Sequence, residues 1–570
     1  MNFKAKGSIS DNSVEEDKYK HVIRERQKHV DEVLRSCSKK RIVVAGPGTG
    51  KTYLFKMILE GKKDTLTLSF VNALVEELSL ELCGLSDVKT LHSFALSVLK
   101  EAKQENIKIF PELTKVIEQD ARTLLKEEID FDHLFHNKVD KKKHIEFYKK
   151  RKDYYKHYGF TDIVFAVVRY FEKNKQKIPM YTQVVVDEFQ DFNILQVSLI
   201  DLLAEKSPVL LAGDDDQALY ESLKSASPKH IRQRHGNKAY GYEVFKLPYC
   251  SRSTRVIIEA TNDIIRGATQ DGHLLSRISK PFRYFANKEK DQHSEENPHI
   301  IYKQLQARQI PFFIQNNIKK IAEQVRKKFT VLIISPTNTQ CKTIVNALKK
   351  KGFENIQFVQ KKDRKEPTLL DGLKLLLIDK KCNLGWRIVA QNLLKDTDFE
   401  NILKNTNNVE VKRFSDLIGK KQKQKVTQML KTLRAVRDGK QTEDKKKLEE
   451  LLKIVGVDAY QMATDYLKDE IKSCKPTLPT PTLSNPGIRK IPITTTTIQR
   501  SKGLDADYVF ITYFDDQYFI KDKSKVSDQE ICNFLVALTR ARSKVFLISS
   551  HTRKKPVFLK WIDKKRILGN

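Results

Sequence analysis

No two of the seven cysteines in this 570-residue chain form a C-x-x-C pair; Cys37, Cys83, Cys250, Cys341, Cys382, Cys474 and Cys532 are scattered singly. That spacing excludes zinc-ribbon and iron–sulfur frameworks and fits reduced thiols in a cytoplasmic protein. No apolar run approaches the roughly 18–20 residues needed to cross a bilayer, so a membrane partner is not expected. The opening MNFKAKGSISDNSVEEDKYK has no apolar stretch of signal-peptide type. Acid is also short, with 72 Asp+Glu against 105 Lys+Arg and a formal charge of +33. Such an excess points to a polyanionic partner or to lysines solvated over the whole surface, and alone it leaves both open. Hydrophobic residues make up 40%, enough for real cores in a chain long enough for three or four domains.

What is present begins with RIVVAGPGTGKT, Arg41–Thr52. A short apolar run reads as a buried strand and breaks into Gly46-Pro47-Gly48-Thr49-Gly50-Lys51-Thr52, matching G-x-x-x-x-G-K-[ST]. Glycines let the backbone curl so that successive N–H groups point at a polyphosphate, and the next helix adds its N-terminal dipole. Lys51 is then expected to reach the outer phosphates of ATP and the Thr52 hydroxyl to take a position on Mg²⁺. Gln27, about twenty residues upstream, suits an adenine edge because an amide donates and accepts at once. A solvent-facing helical glutamine explains it equally well.

Two later strand ends carry acids. VVVDEFQD (Val184–Asp191) delivers Asp187 and Glu188 at the carboxyl end of an apolar strand, where ligands collect in parallel sheets. Asp187 is expected to hold Mg²⁺ and Glu188 to polarise the attacking water. GDDDQALY (Gly213–Tyr220) also follows a strand, and its Gln217 is placed to sense the γ-phosphate. Beside such an ATPase core the positive charge favours nucleic acid.

Strand–helix alternation is interrupted twice. Residues 96–180 read as a helical insertion containing KKKHIEFYKKRKDYYKHYGF. Its Phe147, Tyr148, Tyr154, Tyr155 and Tyr158 either stack bases between phosphate-binding lysines or form the buried face of an amphipathic helix. Residues from about 351 to 475 are again helical and charged, and KPTLPTPTLSNPG (475–487) is an extended connector. The expected class is α/β: two P-loop-type cores with parallel sheets, each interrupted by a helical insertion. The boundaries expected are 1–95 with 181–265, insertion 96–180, then 266–350 with 488–570, and insertion 351–487.

GPGTGKT, DEFQD and GDDDQALY, in this order, resemble the UvrD/Rep/PcrA-type helicases of superfamily 1. SFVNA (Ser69–Ala73) and TLHSF (Thr90–Phe94) resemble that family's DNA-contacting motifs, with Phe70, Asn72, Thr90 and His92 at the strand-binding positions. KLPYCSRST (Lys246–Thr254) resembles the motif that places Tyr249 at the nucleotide and Arg252 on the γ-phosphate. TIQRSKGLDADYVFI (Thr497–Ile511) resembles "TLHSAKGLE", implying DNA contacts from Thr497 and Gln499 and nucleotide contacts from Gly503 and Asp505. VALTRARSKVFL (Val536–Leu547) resembles "VALTRA" and puts the arginine finger at Arg540.

The resemblance implies two RecA-like domains with Mg²⁺ and ATP in the cleft between them. The partner it implies is single-stranded or tailed duplex DNA, with 3′-to-5′ movement in DNA repair or phage defence. Three positions depart from the pattern. Leu223, followed by Lys224, stands where a base-stacking ring is usual, Gln499 replaces His and Asp505 replaces Glu. The second insertion is shorter than in typical repair helicases, and neither a nuclease nor a tail domain is expected after the last motif. Other readings are a DNA-stimulated ATPase subunit that gates a partner nuclease or defence-complex protein, and a nucleic-acid-binding ATP switch.

Overall fold

The protein is described here from a computed structural model covering residues 9–70, 72–219, 226–325, 328–359, 366–407, 413–437, 490–520, 526–550 and 555–569. The connector at 475–487 and the positions Leu223 and Lys224 lie outside these described residues. The chain forms two compact units, 1–93 with 171–361 and 483–570, and 94–170 with 362–482.

The first unit holds two parallel sheets. β1 (Lys40–Ala45), β2 (Thr65–Ser69), β3 (Asp87–Thr90), β4 (Gln183–Val186), β5 (Val209–Gly213) and β6 (Glu243–Leu247) form a six-stranded sheet in the order β3-β2-β4-β5-β1-β6. Strands β1, β2, β4 and β5 read as runs of Val, Ile, Leu and Thr because a parallel sheet is covered on both faces. Register aligns Val44 with Gly213 and Val186 with Leu211, so the chain leaves β4, β5 and β1 side by side. Helix Lys51–Leu59 then buries Leu54, Phe55, Ile58 and Leu59 against this sheet.

A small parallel pair, β7 (Tyr249–Cys250) and β8 (Arg283–Tyr284), brackets the helix Arg255–Gln270. The second large sheet runs β11-β12-β10-β13-β14-β9-β15, all parallel. Its strands are β9 (Ile300–Gln304), β10 (Val331–Ser335), β11 (Ile356–Phe358), β12 (Ile493–Thr497), β13 (Ala506–Thr512), β14 (Ala541–Ser549) and β15 (Ile567–Leu568). Alternate side chains of one strand serve opposite layers. Val509 and Ile511 of β13 pack with helices Arg255–Gln270 and Asp528–Leu538, whereas Tyr508 and Phe510 pack with Ile310–Gln324 and Asn338–Lys350. Phe510 stacks on Phe546 at 4.4 Å between ring centroids.

The α/β class with parallel sheets is as the sequence implies. One local expectation fails: residues 356–358 are a strand pairing with β12, not part of a helical run. The segment is three residues long, too short to show a period.

The second unit is helical: Leu113–Leu124, Phe131–His136, Lys142–Tyr155 and Phe160–Lys173 from one stretch, Leu369–Ile378, Asn383–Leu393, Asp396–Asn405 and Lys420–Arg437 from the other. Tyr148 and Tyr155 of the helix Lys142–Tyr155 are buried, so the amphipathic-face reading holds for them; Tyr158 is buried past its end in a bridge with Ile109, and neighbouring Lys149 and Lys150 are exposed. The two stretches meet on one carboxylate. Asp120 accepts from Arg151 Nε (2.8 Å) and Tyr155 OH (2.6 Å) on one oxygen, and from Arg387 Nε (3.0 Å) and NH2 (2.9 Å) on the other. Arg151 also donates to Thr406 Oγ1 at 2.8 Å. Asp120 and Arg387 are wholly buried. Removing one partner of a buried ion pair leaves charge unmatched, at a cost of about 3–5 kcal/mol. Asp120→Ala is therefore expected to lower the stability of this unit by that order, read as an early transition in calorimetry; an unchanged profile would show the cluster to be dispensable.

Candidate active site

The three motif-bearing turns follow β1, β5 and β4, neighbours in the first sheet. The loop after β1 needs its glycines. Gly48 has φ +66 and Gly50, the N-cap of helix Lys51–Leu59, has φ +94. A Cβ at Gly48 would lie 2.4 Å from Arg252 Cβ. The loop is tied down by Thr49 Oγ1 donating to Gly46 O (2.9 Å) and by Ser251 N donating to Gly48 O (3.0 Å). Pro47 and Gly46 back onto a cavity lined by Phe282, Thr261 and Leu535.

Lys51 Nζ faces Glu188 Oε1 at 3.9 Å. Glu188 sits at φ +52, an uncommon conformation for a residue with a side chain. Burial pushes its carboxyl up, but the ammonium groups of Lys51 and Lys502 outweigh that and hold it below the ordinary carboxylate range. Asp187 goes the other way, raised by burial and by the Glu188 charge. Its Oδ1 is buried with no hydrogen-bond partner among the described residues. An unsatisfied buried oxygen beside the phosphate loop fits a Mg²⁺ position, because such groups ordinarily find a partner.

From the second sheet, Lys502 and Arg540 reach this locus, and Arg252 joins them from the turn after β7. Lys502 Nζ, almost fully buried, lies 3.4 Å from Glu188 Oε2 and donates to Asp191 Oδ2 (2.5 Å) and Gln217 O (2.6 Å). Arg540 NH2 donates to Gln217 Oε1 at 2.8 Å. Burial first and Arg252 second push the Arg540 guanidinium down to about 10. Arg252 Nε pairs with Asp505 Oδ2 at 3.1 Å, and Asp505 also takes Arg542. Gly503 turns with φ +83 two residues before Asp505. The structure thus assembles Lys51, Asp187, Glu188, Gln217, Arg252, Asp505 and Arg540 around one locus.

Gln27 and Tyr249 lie beside it. Gln27 Nε2 donates to Asp31 (2.8 Å) and Tyr53 OH reaches Gln27 Oε1 at 3.5 Å. The Tyr249 ring is 6.3 Å from His29. Thr52 occupies the second helical position after Gly50. The residues expected on DNA stand elsewhere, at other strand ends. Phe70 follows β2 and packs edge-on against Phe192 at 5.6 Å; Asn72 opens the next helix, its side chain outside the described residues. Thr90 ends β3 and accepts from Ser93 N (3.1 Å), and His92 follows. Four strand spacings separate β3 from β1, about 19 Å at ~4.8 Å each. Thr497 ends β12, and Gln499 lies in the turn after it.

Sequence reasoning gave no role to four residues here. Lys502 was hidden inside its motif, and so was Gln190, whose Nε2 donates to Glu188 Oε2 (2.6 Å) and whose Oε1 accepts from Asp214 N (3.0 Å). Arg26 stacks 4.8 Å over Phe285 with a guanidinium nitrogen 2.7 Å from where a Gly50 Cβ would stand. The acids of GDDDQ also find a purpose. Asp214, Asp215 and Asp216 bring their carboxylates within 4.8 Å of one another, and Lys280 Nζ fills the cluster at 2.8, 2.7 and 2.7 Å.

A nucleotide-type loop, two acids at the next strand ends and cations from a second parallel sheet define a P-loop NTPase with two RecA-like cores. Comparison with known proteins narrows the class. The family described as "AAA domain" matches residues 30–223, and that described as "UvrD-like helicase C-terminal domain" matches 390–552. Together with the matches to individual helicases, these support a UvrD-like helicase of superfamily 1. It is 41% identical to the DNA helicase II of Escherichia coli over 86 residues, 15% of this chain and 12% of that protein. It is 25% identical to the ATP-dependent DNA helicase Rep of Buchnera aphidicola over 274 residues, 37% of this chain and 41% of that one. Similarity to the ATP-dependent DNA helicase PcrA of Staphylococcus epidermidis is 24% over 287 residues, 41% of this chain and 39% of the relative. The matches thus span less than half the length of each of these relatives.

Proposed function

We propose that this protein is an ATP-driven DNA translocase of UvrD type that moves 3′ to 5′ along a single strand and displaces the complement. The observation that carries the reading is the meeting of Lys51, Glu188 and Gln217 from one core with Lys502 and Arg540 from the other at one locus, two sheets contributing to a single charge cluster. Thr52 and Asp187 would hold Mg²⁺, which with bound ATP supplies a γ-phosphoryl group open to in-line attack by water. Lys51 and Arg252 balance phosphate charge, Glu188 takes the proton from the attacking water, and Gln217 couples that region to Arg540. Phe70, Asn72, Thr90, His92, Thr497 and Gln499, at the carboxyl ends of strands in both sheets, are the proposed DNA contacts.

The test is strand displacement by the purified chain on 3′-tailed, 5′-tailed and blunt duplexes, with ATP turnover measured with and without single strands. Displacement confined to 3′-tailed duplex supports the reading. Turnover without displacement favours a DNA-stimulated ATPase that acts on a partner, and no DNA stimulation overturns both.

The charge of +33 makes a second expectation. Phosphate contacts release counterions, so log affinity for single-stranded DNA should fall with log salt at a slope near −0.7 per neutralised phosphate. Salt-insensitive binding, or equal affinity for a neutral-backbone analogue, would contradict phosphate-led recognition.

A further inference from the structure

We propose that Lys280 is a positioning residue for hydrolysis, holding Gln217 and Arg540 in register through Asp214. Lys280 lies 64 residues after Asp216, in the segment between the helix Arg255–Gln270 and β8. Its side chain is 6% exposed, and the ammonium sits 2.8 Å from Asp214 Oδ1. The other oxygen of the same carboxylate accepts from Gln217 Nε2 at 2.6 Å. Gln217 Oε1 then accepts from Arg540 NH2 at 2.8 Å. A second branch leaves the same residue: Asp214 N donates to Gln190 Oε1, and Gln190 Nε2 donates to Glu188 Oε2. Asp214 is therefore joined both to the proposed water-activating carboxylate and to the cation from the other core.

The amide of Gln217 can point its oxygen at Arg540 only if its nitrogen has an acceptor, and Asp214 Oδ2 is that acceptor. Lys280 fixes that acceptor beside the carboxylates of Asp215 and Asp216, whose like charge would otherwise repel it. Arg277, bidentate to Asp216 at 3.0 and 2.7 Å, and Arg232, 2.9 Å from Asp215, hold the rest of the triplet. Lys280 is the one cation of this set that touches Asp214. The same segment braces the phosphate loop, since Phe282 lies 2.9 Å from the position of a Cβ on Gly46. Loss of the ammonium should let Asp214 swing, and a displacement near 1 Å in such an arrangement costs up to about 10²-fold in rate.

The inference rests on the ATPase reading above, and the experiment separates the two. ATP turnover with single-stranded DNA is measured for wild type, Lys280→Met, Gln217→Ala and the double variant. Lys280→Met is expected to lower kcat about 10- to 100-fold with KM for ATP within about threefold. Because Lys280 acts through Gln217, the double variant should be within about threefold of the slower single variant, the signature of coupled residues. A purely structural lysine would lower the unfolding temperature and multiply with Gln217→Ala; multiplicative effects, or a raised KM with unchanged kcat, overturn the proposal. Lys280→Gln, which retains a donor without the charge, carries the same cycle if the methionine variant does not fold. A wild type that hydrolyses no ATP would overturn the ATPase reading itself, whereas additivity in an active enzyme overturns only the role of Lys280.

Discussion

Arg540→Ala is expected to abolish DNA-stimulated ATP hydrolysis, a loss of roughly 10³- to 10⁵-fold, while ATP affinity stays within a few-fold. The side chain comes from the turn before β14 in the second sheet, yet its NH2 group donates to Gln217, which follows β5 in the first. It is 3% exposed and further anchored by Nε to Val536 O at 3.1 Å. A guanidinium held this way meets negative charge as that charge develops, with little reorganisation. Burial first and the Arg252 charge second lower its proton affinity, a cost that a bound anion would relieve. Arg540→Lys should rescue poorly, because an ammonium cannot serve Gln217, Val536 O and a phosphate oxygen from one planar fork. Stopped turnover with intact binding, measured by nucleotide titration beside steady-state kinetics, is the expected pattern. Normal hydrolysis by the Ala variant would remove the basis for a two-core motor.

Glu188→Gln carries the second large effect. Turnover should fall by about 10²-fold or more, the range for losing a positioned acid–base group, with ATP binding preserved. Two ammonium groups keep the Glu188 carboxyl ionised and able to accept a proton, and Gln190 fixes its second oxygen. The glutamine variant keeps the shape but loses the charge that faces Lys51 and Lys502. Tighter ATP retention without turnover is the expected companion. A near-normal rate would transfer the role to another group, and Asp191, which shares Lys502, is the carboxylate to test next.

The phosphate loop and the acids after β4 and β5 were legible because their chemistry is local. Gly48 and Gly50 need positive φ, and Asp187-Glu188 follow an unbroken Val run. What the sequence hid was hidden for physical reasons. β12 reads Ile-Thr-Thr-Thr-Thr, polar by composition, yet Thr495 and Thr496 are fully buried between β11 and β10, where β-branching suits the pleat. β6 and β9 are short and only partly buried, so neither gives a clean apolar run. Lys280 could not be matched with its acids because nothing in a linear pattern joins residues more than sixty apart. The Tyr-rich helix was ambiguous until tertiary packing chose its face. The departure at Leu223 lies outside the described residues, so its consequence for strand contact rests on the sequence alone.

The shared carboxylate of Asp120 has a consequence for how the chain is made. Arg151 and Tyr155 leave the ribosome soon after Asp120, but Arg387 and Thr406 follow only after some 250 further residues, about 13–50 s at ordinary elongation rates. During that interval the early helices carry the Asp120 carboxyl with half its partners missing and an uncovered apolar face. The second sheet is incomplete for longer still, because β12, β13, β14 and β15 are synthesised last, whereas the first is whole by residue 247. Nascent chains arrested before residue 387 should therefore be cut readily by protease across residues 94–170, and chains arrested well beyond residue 406 should resist. Equal resistance at both points would mean that the first stretch closes unaided.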